Sequence, residues 1–322
     1  TPAFEELYKY GSSQNTNKNI FIFEASSHAL DQNRIRNFPV NIAAITNISK
    51  DHLDYHKTIL EYKKAKIKLF TQHLKKNGFA IINKRIKNIS LLKKNLIKKG
   101  IKINYFGKKY VFIEKISNFH KITIKNKEYK INNLKLISKI ELENLECAIS
   151  CCLALKINEN KIIKTLPYIT NPPGRLQLLN YKKKNSKIVV DYAHTPDALE
   201  RTLKSIKFKN LKPVLLFGCG GERDKSKRKL MGKIASHYAG RVYVTDDNPR
   251  NENPSIIRRN IIRYCPNAIE IPNRKKAITR AIKDLKSNET LLIAGKGHEQ
   301  VQIVKNKKIK FDDLKIVKDL IK

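Results

Sequence analysis

The 322-residue chain reads as an α/β protein of two domains. Three features predict this: a proline-rich break at Pro167–Gly174 (PYITNPPG), a regular alternation of short apolar runs and helical patterns beyond it, and polar clusters directly behind those apolar runs. Two adjacent prolines and a glycine disfavour both helix and central strand, so the boundary is placed there, giving domains 1–171 and 172–322. Strand–helix alternation at this spacing predicts a doubly wound parallel sheet in the second domain.

In the first domain, Asn19–Phe23 (NIFIF) and Asn41–Ile48 (NIAAITNI) are apolar runs expected as buried parallel strands. His28–Asn37 between them is polar, a loop or short helix. Leu60, Ala65, Ile67, Leu69 and Phe70 fit a helix ending near Gly78, followed by a strand at Phe79–Ile82 and a Lys-rich helix ending at Gly100. Ile101–Phe106 and Tyr110–Ile124 read as strands, the later ones a meander turning at Lys125–Lys127. Glu141–Leu155 reads as a helix. In the second domain, strands at Lys187–Val190, Val214–Phe217, Val242–Thr245 and Thr290–Ala294 alternate with helices from Pro196, from about Lys225, from Pro254 and at Arg274–Lys286. A hairpin and a helix close the chain.

At 41% hydrophobic residues the chain has material for real cores, which excludes a disordered protein. Lys and Arg number 67 against 28 Asp and Glu, a net charge of +39. The excess is mostly Lys, spread along the whole chain among many Ile and Asn, residues that share A/T-rich codons. It forms no block, and Trp is absent. Base composition is therefore the favoured source of the charge, and nucleic acid is not an expected partner. Cys147, Cys151 and Cys152 sit at helical intervals in an apolar run, and Cys219 and Cys265 are isolated. With no metal or redox spacing and no secretory signal, a reducing, cytoplasmic compartment is expected. No apolar stretch approaches 18 residues, so no membrane span is expected. The chain opens Thr-Pro without Met and reads as a piece cut from inside a domain.

Four clusters follow apolar runs: Asp191–Asp197 (DYAHTPD), Gly218–Arg223 (GCGGER), Asp246–Arg250 (DDNPR) and Gly295–Glu299 (GKGHE). Loops at the carboxyl ends of parallel strands line ligand sites. Arg223 and Arg250 can each grip a carboxylate in a bidentate fork, while Asp247 and Glu299 can hold an ammonium. Together they suit a zwitterionic amino acid. One such loop alone would be a tight turn with a cap; four at one sheet edge point to a ligand. The GCGG turn before a helix can host an anion, but its spacing is not that of a dinucleotide fingerprint. In the first domain, Asp51–His56 (DHLDYH) offers oxygen and imidazole ligands. Its His pair lacks the HExxH context of a zinc site. Glu24 and His52 suit a shared Mg²⁺ by residue type, though spacing alone does not assign one. Ser26-Ser27-His28 is not a hydrolase elbow.

EASSHALDQNR (Glu24–Arg34), TNISKDHLDYH (Thr46–His56), EYKKAK (Glu61–Lys66), PGRLQ (Pro173–Gln177), DYAHTPDAL (Asp191–Leu199), FGCGGERDKSKR (Phe217–Arg228), DDNPR and AGKGHE resemble, in order and over nearly the whole chain, the Mur ligases. That family has a UDP-substrate domain, a central ATPase domain and a C-terminal amino-acid-binding domain. The resemblance implies that this chain holds the remainder of a central Mur-ligase ATPase domain, a parallel sheet with helices, plus a C-terminal Rossmann-like doubly wound domain. No G-x-x-x-x-G-K-[ST] phosphate loop occurs in it, so the piece alone is expected to be inactive.

The implied activity is ATP-dependent ligation of meso-diaminopimelate to the D-glutamyl γ-carboxylate of a UDP-muramoyl dipeptide in peptidoglycan synthesis, by a cytoplasmic monomer using ATP and Mg²⁺. The resemblance implies that Ser26, Gln32 and Arg34 contact the UDP-muramoyl dipeptide, with Thr1 as the end of a Thr pair that does so too. Lys66 matches the lysine that takes up CO₂ as a carbamate and, with Glu24 and His52, holds Mg²⁺. Asn144 matches an adenine contact whose companion Asn is Glu141 here. Arg175 is implied at the ATP phosphates and Asp191 near the ribose. Arg223, Asp247, Asn248, Arg250, Gly295 and Glu299 match the diaminopimelate site, DNPR being the mark of diaminopimelate over lysine because Arg250 can pair with the second carboxylate. The alternatives are a non-catalytic fragment, a folylpolyglutamate synthetase-like ligase, which DNPR and EASSHAL argue against, and a basic nucleic-acid-binding protein, which requires one contiguous positive face.

Overall fold

The computed structural model describes Glu5, Glu6, Lys9 and residues 20–49, 51–108, 110–136, 138–206 and 211–322. It forms two compact units, Thr1–Ile169 and Thr170–Lys322. Thr1 lies outside the described residues.

In the first unit, helix α1 (Ser27–Asp31) is capped by the Ser26 hydroxyl, which accepts from the Ala29 N–H at 3.2 Å. Strand β1 (Val40–Ile45) pairs in parallel with β2 (Leu74–Asn83), which pairs in parallel with β3 (Lys102–Phe106). Between β1 and β2 lie the one-turn α2 (Leu53–His56) and α3 (Ile59–Lys68); Thr58 and Glu61 make a reciprocal capping box at the start of α3. Helix α4 (Ser90–Lys98) puts Leu92 and Leu96 on one face of this sheet. An antiparallel meander, β4 (Val111–Ile116), β5 (Phe119–Ile124) and β6 (Lys127–Ile131), packs with α5 (Lys139–Ala154) and α6 (Glu159–Thr165). α5 also covers the other face of the parallel sheet, placing Leu142, Leu145 and Ile149 with Ile81 and Phe106. Glu146, almost fully buried, binds α5 to both sheets: it accepts from Arg85 Nη1 at 2.9 Å and from the Ile113 N–H at 3.0 Å.

Two expectations need correction here. Residues 20–23 form no strand: no described strand pairs with them, and Phe21 and Ile22 are exposed. Phe21, Phe23 and Phe38 instead gather as an aromatic cluster with ring centroids 5.5–6.0 Å apart. The helix expected to end near Gly78 ends at Lys68, continues as a π turn over Leu69–His73, and gives way to β2 at Leu74. Gly78 therefore sits inside a strand, where an added Cβ would lie 2.8 Å from the Asn41 carbonyl of β1, a contact only glycine allows.

The second unit is a six-stranded sheet in the order β11-β10-β9-β12-β8-β7, built from β7 (Gln177–Tyr181), β8 (Ser186–Asp191), β9 (Val214–Phe217), β10 (Arg241–Val244), β11 (Ile269–Glu270) and β12 (Thr290–Ala294). All neighbours are parallel except the edge strand β7, which is antiparallel to β8. Successive strand residues face opposite layers. Leu215 and Phe217 meet α7 (Pro196–Ser205), α8 (Ser226–Tyr238) and α9 (Pro254–Ile262) through Leu199, Leu203, Met231 and Ile261. Val214 and Leu216 meet α10 (Arg274–Lys283) and α11 (Asp313–Ile321) through Ala277, Ile278 and Val317. This is the doubly wound arrangement, and it buries the inner strands β8, β9, β10 and β12 on both faces, while the edge strands β7 and β11 stay partly or fully exposed. The hairpin β13 (Val301–Val304) and β14 (Lys307–Lys310) precedes α11. α10 ends at Lys283, three residues before the expected Lys286.

One polar contact crosses the α10–α11 layer. Arg274 and Asp313 are both fully buried and form a two-pronged ion pair, Nε to Oδ1 at 2.9 Å and Nη2 to Oδ2 at 2.7 Å. Nη2 also donates to the Ala294 carbonyl at 3.0 Å, at the end of β12. Breaking a buried pair leaves an uncompensated charge. Asp313→Ala is therefore expected to destabilise the second unit by about 3–5 kcal/mol. Arg280→Ala, which breaks the exposed, solvent-screened Arg280–Asp284 pair, is expected to leave stability nearly unchanged. Denaturant unfolding of the two variants checks the contrast.

Candidate active site

Because β8, β12, β9 and β10 are adjacent and parallel, the loops that follow them emerge at one edge of the second unit's sheet. These loops touch backbone to backbone. Gly295, at φ +112°, has no room for a side chain: a Cβ there would stand 2.7 Å from Asp247 Oδ2. The turn before β7 is pressed on the same place, since a Cβ on Gly174 (φ +66°) would meet the His298 N at 2.1 Å. Arg175 lies over the Tyr192 ring at 4.5 Å, and the rings of His194 and His298 are 4.6 and 5.2 Å from that of Tyr192. Three of the singled-out strings thus meet around one tyrosine.

The residues expected to hold an amino acid divide by environment. Asp247 and Asn248 are buried; Arg223 is exposed, and its side chain makes no ion pair or hydrogen bond among the described residues. Arg250 is half-buried, with φ +52°; Nη1 donates to the Gly221 carbonyl at 2.8 Å and the Asn248 carbonyl at 3.3 Å. Its backbone is stitched to β13, its N–H donating to Ile303 and its carbonyl accepting from Lys305. A Cβ on Gly220 would lie 3.0 Å from Arg250 Nη1 and 3.8 Å from Arg223 Cγ, so both arginines border the same glycine turn. Glu299 Oε2 accepts from Asn248 Nδ2 at 2.9 Å and from Lys296 Nζ at 3.0 Å. Lys296, fully buried, was not among the residues singled out from sequence; nothing in GKGHE distinguishes it from the chain's many other lysines.

Neighbouring residues of the same strings serve the fold instead. Asp246 pairs with Arg258, which also binds Glu270 at 2.6 Å; burial pushes the Asp246 carboxyl up, against the pull of Arg258. Arg228 is buried in a fork on Glu252, 2.7 and 2.8 Å, and holds that carboxyl below its ordinary range. The Cys219 thiol is buried against Met231 and pushed up to about 11, mainly by desolvation, which makes it a packing group and a poor nucleophile. Asp191 directs both carboxylate oxygens inward, Oδ1 accepting from the Leu176 N–H at 2.9 Å and Oδ2 from the Ala193 N–H and the Thr202 hydroxyl at 3.1 and 3.2 Å.

In the first unit, His52 caps α2 at φ +53° and its Nε2 lies 3.3 Å from Asp51 Oδ2. The His28 ring sits 4.7 Å from that of His52 and 5.5 Å from that of His56. Lys66 Nζ lies over the Tyr62 ring at 5.1 Å. Burial pushes the Lys66 ammonium pKa down, while the charges of Asp51 and Glu24 oppose this. The three residues therefore share one electrostatic neighbourhood. Gln32 Oε1 accepts from Arg34 Nε at 2.7 Å. Asn144 is exposed on α5, and Glu141, which stands where the resemblance expects its companion Asn, is buried and accepts from the Ser138 N–H at 2.6 Å. Among the described residues no cluster of three His, Cys, Asp or Glu is set to hold a metal ion, and no helix is long and apolar enough to cross a membrane.

Residues 7–152 match the Mur ligase middle domain and residues 174–297 the Mur ligase glutamate ligase domain. The chain is 43% identical over 312 residues to a UDP-N-acetylmuramoyl-L-alanyl-D-glutamate–2,6-diaminopimelate ligase of Rickettsia montanensis, covering 94% of this chain and 64% of that protein. It is 38% identical over 324 residues to the ligase of the same name in Anaplasma marginale, covering 97% of this chain and 67% of that one. A solved structure bearing that ligase's name aligns with TM-score 0.53 at 30% identity over 92% of this chain and 63% of the other. A Mycobacterium tuberculosis folylpolyglutamate synthase aligns with TM-score 0.64 at 16% identity over 79% of this chain and 61% of the other, a likeness of fold. The chain belongs to the Mur ligase family. It spans just under two thirds of the length of the first of these relatives.

Gly295→Ala would force a Cβ against Asp247 at a left-handed φ, at a cost of about 1–3 kcal/mol. A fall in melting temperature measured by differential scanning calorimetry is the expected result.

Proposed function

We propose that the protein ligates meso-diaminopimelate to the D-glutamyl γ-carboxylate of a UDP-muramoyl dipeptide at the expense of ATP, in peptidoglycan synthesis. The observation that carries this reading is the gathering of Arg250, Asn248, Asp247 and Glu299 around one glycine-lined edge, two of them buried. An amino acid with two carboxylates needs guanidinium donors as well as acceptors for its ammonium groups, and this edge carries both. Arg223 and Arg250 grip the carboxylates, and Asp247 with Glu299 receives an ammonium. The identity to relatives that carry this ligase name supports the same reading.

In the reaction, the γ-phosphoryl of ATP passes to the glutamyl carboxylate, giving an acyl phosphate and ADP. The neutral amine of diaminopimelate then attacks the acyl carbon, phosphate leaves, and the amine nitrogen releases a proton as the amide forms. No covalent enzyme intermediate is needed. Positioning the amine beside the acyl carbon is the larger part of the catalysis. Asn144 contacts adenine, Arg175 the phosphates and Asp191 the ribose side, while Ser26, Gln32 and Arg34 hold the muramoyl dipeptide.

The donor types around Lys66 fit a hard cation. Glu24, His52 and a carbamate on Lys66 would hold Mg²⁺, which when bound supplies positive charge against the meeting of triphosphate and carboxylate. Burial lowers the Lys66 pKa and so raises the share of free amine. That amine adds to CO₂ and loses one proton, turning a cation into the missing carboxylate.

Arg250→Ala in the full-length protein is expected to raise KM for diaminopimelate by about 10- to 100-fold, the worth of a charged hydrogen-bonded pair. An unchanged KM refutes the assignment of this edge. Isothermal titration is expected to give heat with meso-diaminopimelate and none with L-lysine at the same concentration.

A further inference from the structure

We propose that Lys296 is a positioning residue for the amino-acid substrate, setting the orientation of both the Asn248 amide and the Glu299 carboxylate. The inference rests on the amino-acid-ligase reading and deepens it. Lys296 is completely buried, so its ammonium does not meet a ligand from solvent. It donates to Asn248 Oδ1 at 2.9 Å and to Glu299 Oε2 at 3.0 Å. Asn248 Oδ1 also accepts from the Ile303 N–H at 3.0 Å. Two donors converging on one atom of an amide require that atom to be the oxygen, so the amide cannot flip. Its Nδ2 then faces Glu299 Oε2 at 2.9 Å and keeps a second N–H to give. Oε2 receives two donors, and among the described residues Oε1 receives none, which leaves one carboxylate oxygen for an ammonium.

A buried ammonium is costly unless fully paired, and an apolar side chain of the same length would fill the space without that cost. What an apolar side chain cannot do is polarise and orient the two groups at once. The loop after β10, the turn after β12 and strand β13 all meet at this nitrogen or at the amide it fixes. Arg274, buried behind the same turn, adds a second positive charge that acts on Asp247 and Glu299.

The test is steady-state kinetics of the full-length protein with Lys296→Met and with Lys296→Gln, varying diaminopimelate and ATP separately. KM does not depend on the fraction of folded enzyme, so a partly folded variant still reports. KM for diaminopimelate is expected to rise about 10- to 100-fold while KM for ATP stays within about twofold. Combined with Glu299→Gln, the double variant should bind diaminopimelate no worse than the weaker single variant, because both act through one network. An unchanged KM for diaminopimelate, an equal rise in both KM values, additive effects, or failure of both substitutions to fold would each overturn the role. If the unsubstituted protein turned over no diaminopimelate, the amino-acid reading itself would fall, a result distinguishable from a failure at Lys296.

Discussion

The second unit depends on a charge placed where water cannot reach it. Arg274 and Asp313 neutralise each other inside the layer between α10 and α11, and the remaining reach of the guanidinium is spent on the Ala294 carbonyl. That carbonyl closes β12, the strand inserted between β8 and β9. The next residue is Gly295, whose backbone conformation starts the turn carrying Lys296 and Glu299. A sheet end would ordinarily fray into its loop. Here it is held by an ion pair whose two halves are 39 residues apart.

The polar strings are therefore of mixed purpose. Within DDNPR, Asp246 turns to Arg258 and supports the sheet edge, while Asp247 turns to the glycine turn of β12. Within GCGGERDKSKR, Arg228 is sealed against Glu252 and Arg223 is left in solvent. One residue of each pair secures the loop and fixes the backbone from which the other projects, the preorganisation that the proposed recognition of a charged molecule would require.

Much of the fold could be read from the residues alone. The strands at Val214–Phe217 and Thr290–Ala294 have the expected limits because β-branched and leucine runs flanked by glycine or proline leave few other solutions. The meander's turn near Lys125–Lys127 is equally plain, whereas the sequence does not mark the turn at Ser117–Asn118 between β4 and β5. The run at residues 20–23 is not plain either, because an apolar segment becomes a parallel strand only where a neighbour can pair with it, and pairing is not a local property. The π turn before β2 was hidden for a similar reason: Leu69 and Phe70 continue the helical spacing, and the tertiary contact of Gly78 with Asn41 sets where the strand begins. At the site, charged residues announced themselves by type, but burial did not. Lys296 stands among dozens of lysines, and only its position beneath Asn248 and Glu299 separates it from them.

The placement of Asp313 has a bearing on how the molecule is made. The guanidinium that secures the turn after β12 has no counter-ion until translation has passed this aspartate and the ribosomal tunnel has released it. A nascent chain can lay down β8, β9 and β10 early, but Arg274 cannot be buried with its charge matched until Asp313 has emerged. The end of β12 and the turn after it thereby mature only after a residue that lies 19 positions further along the chain.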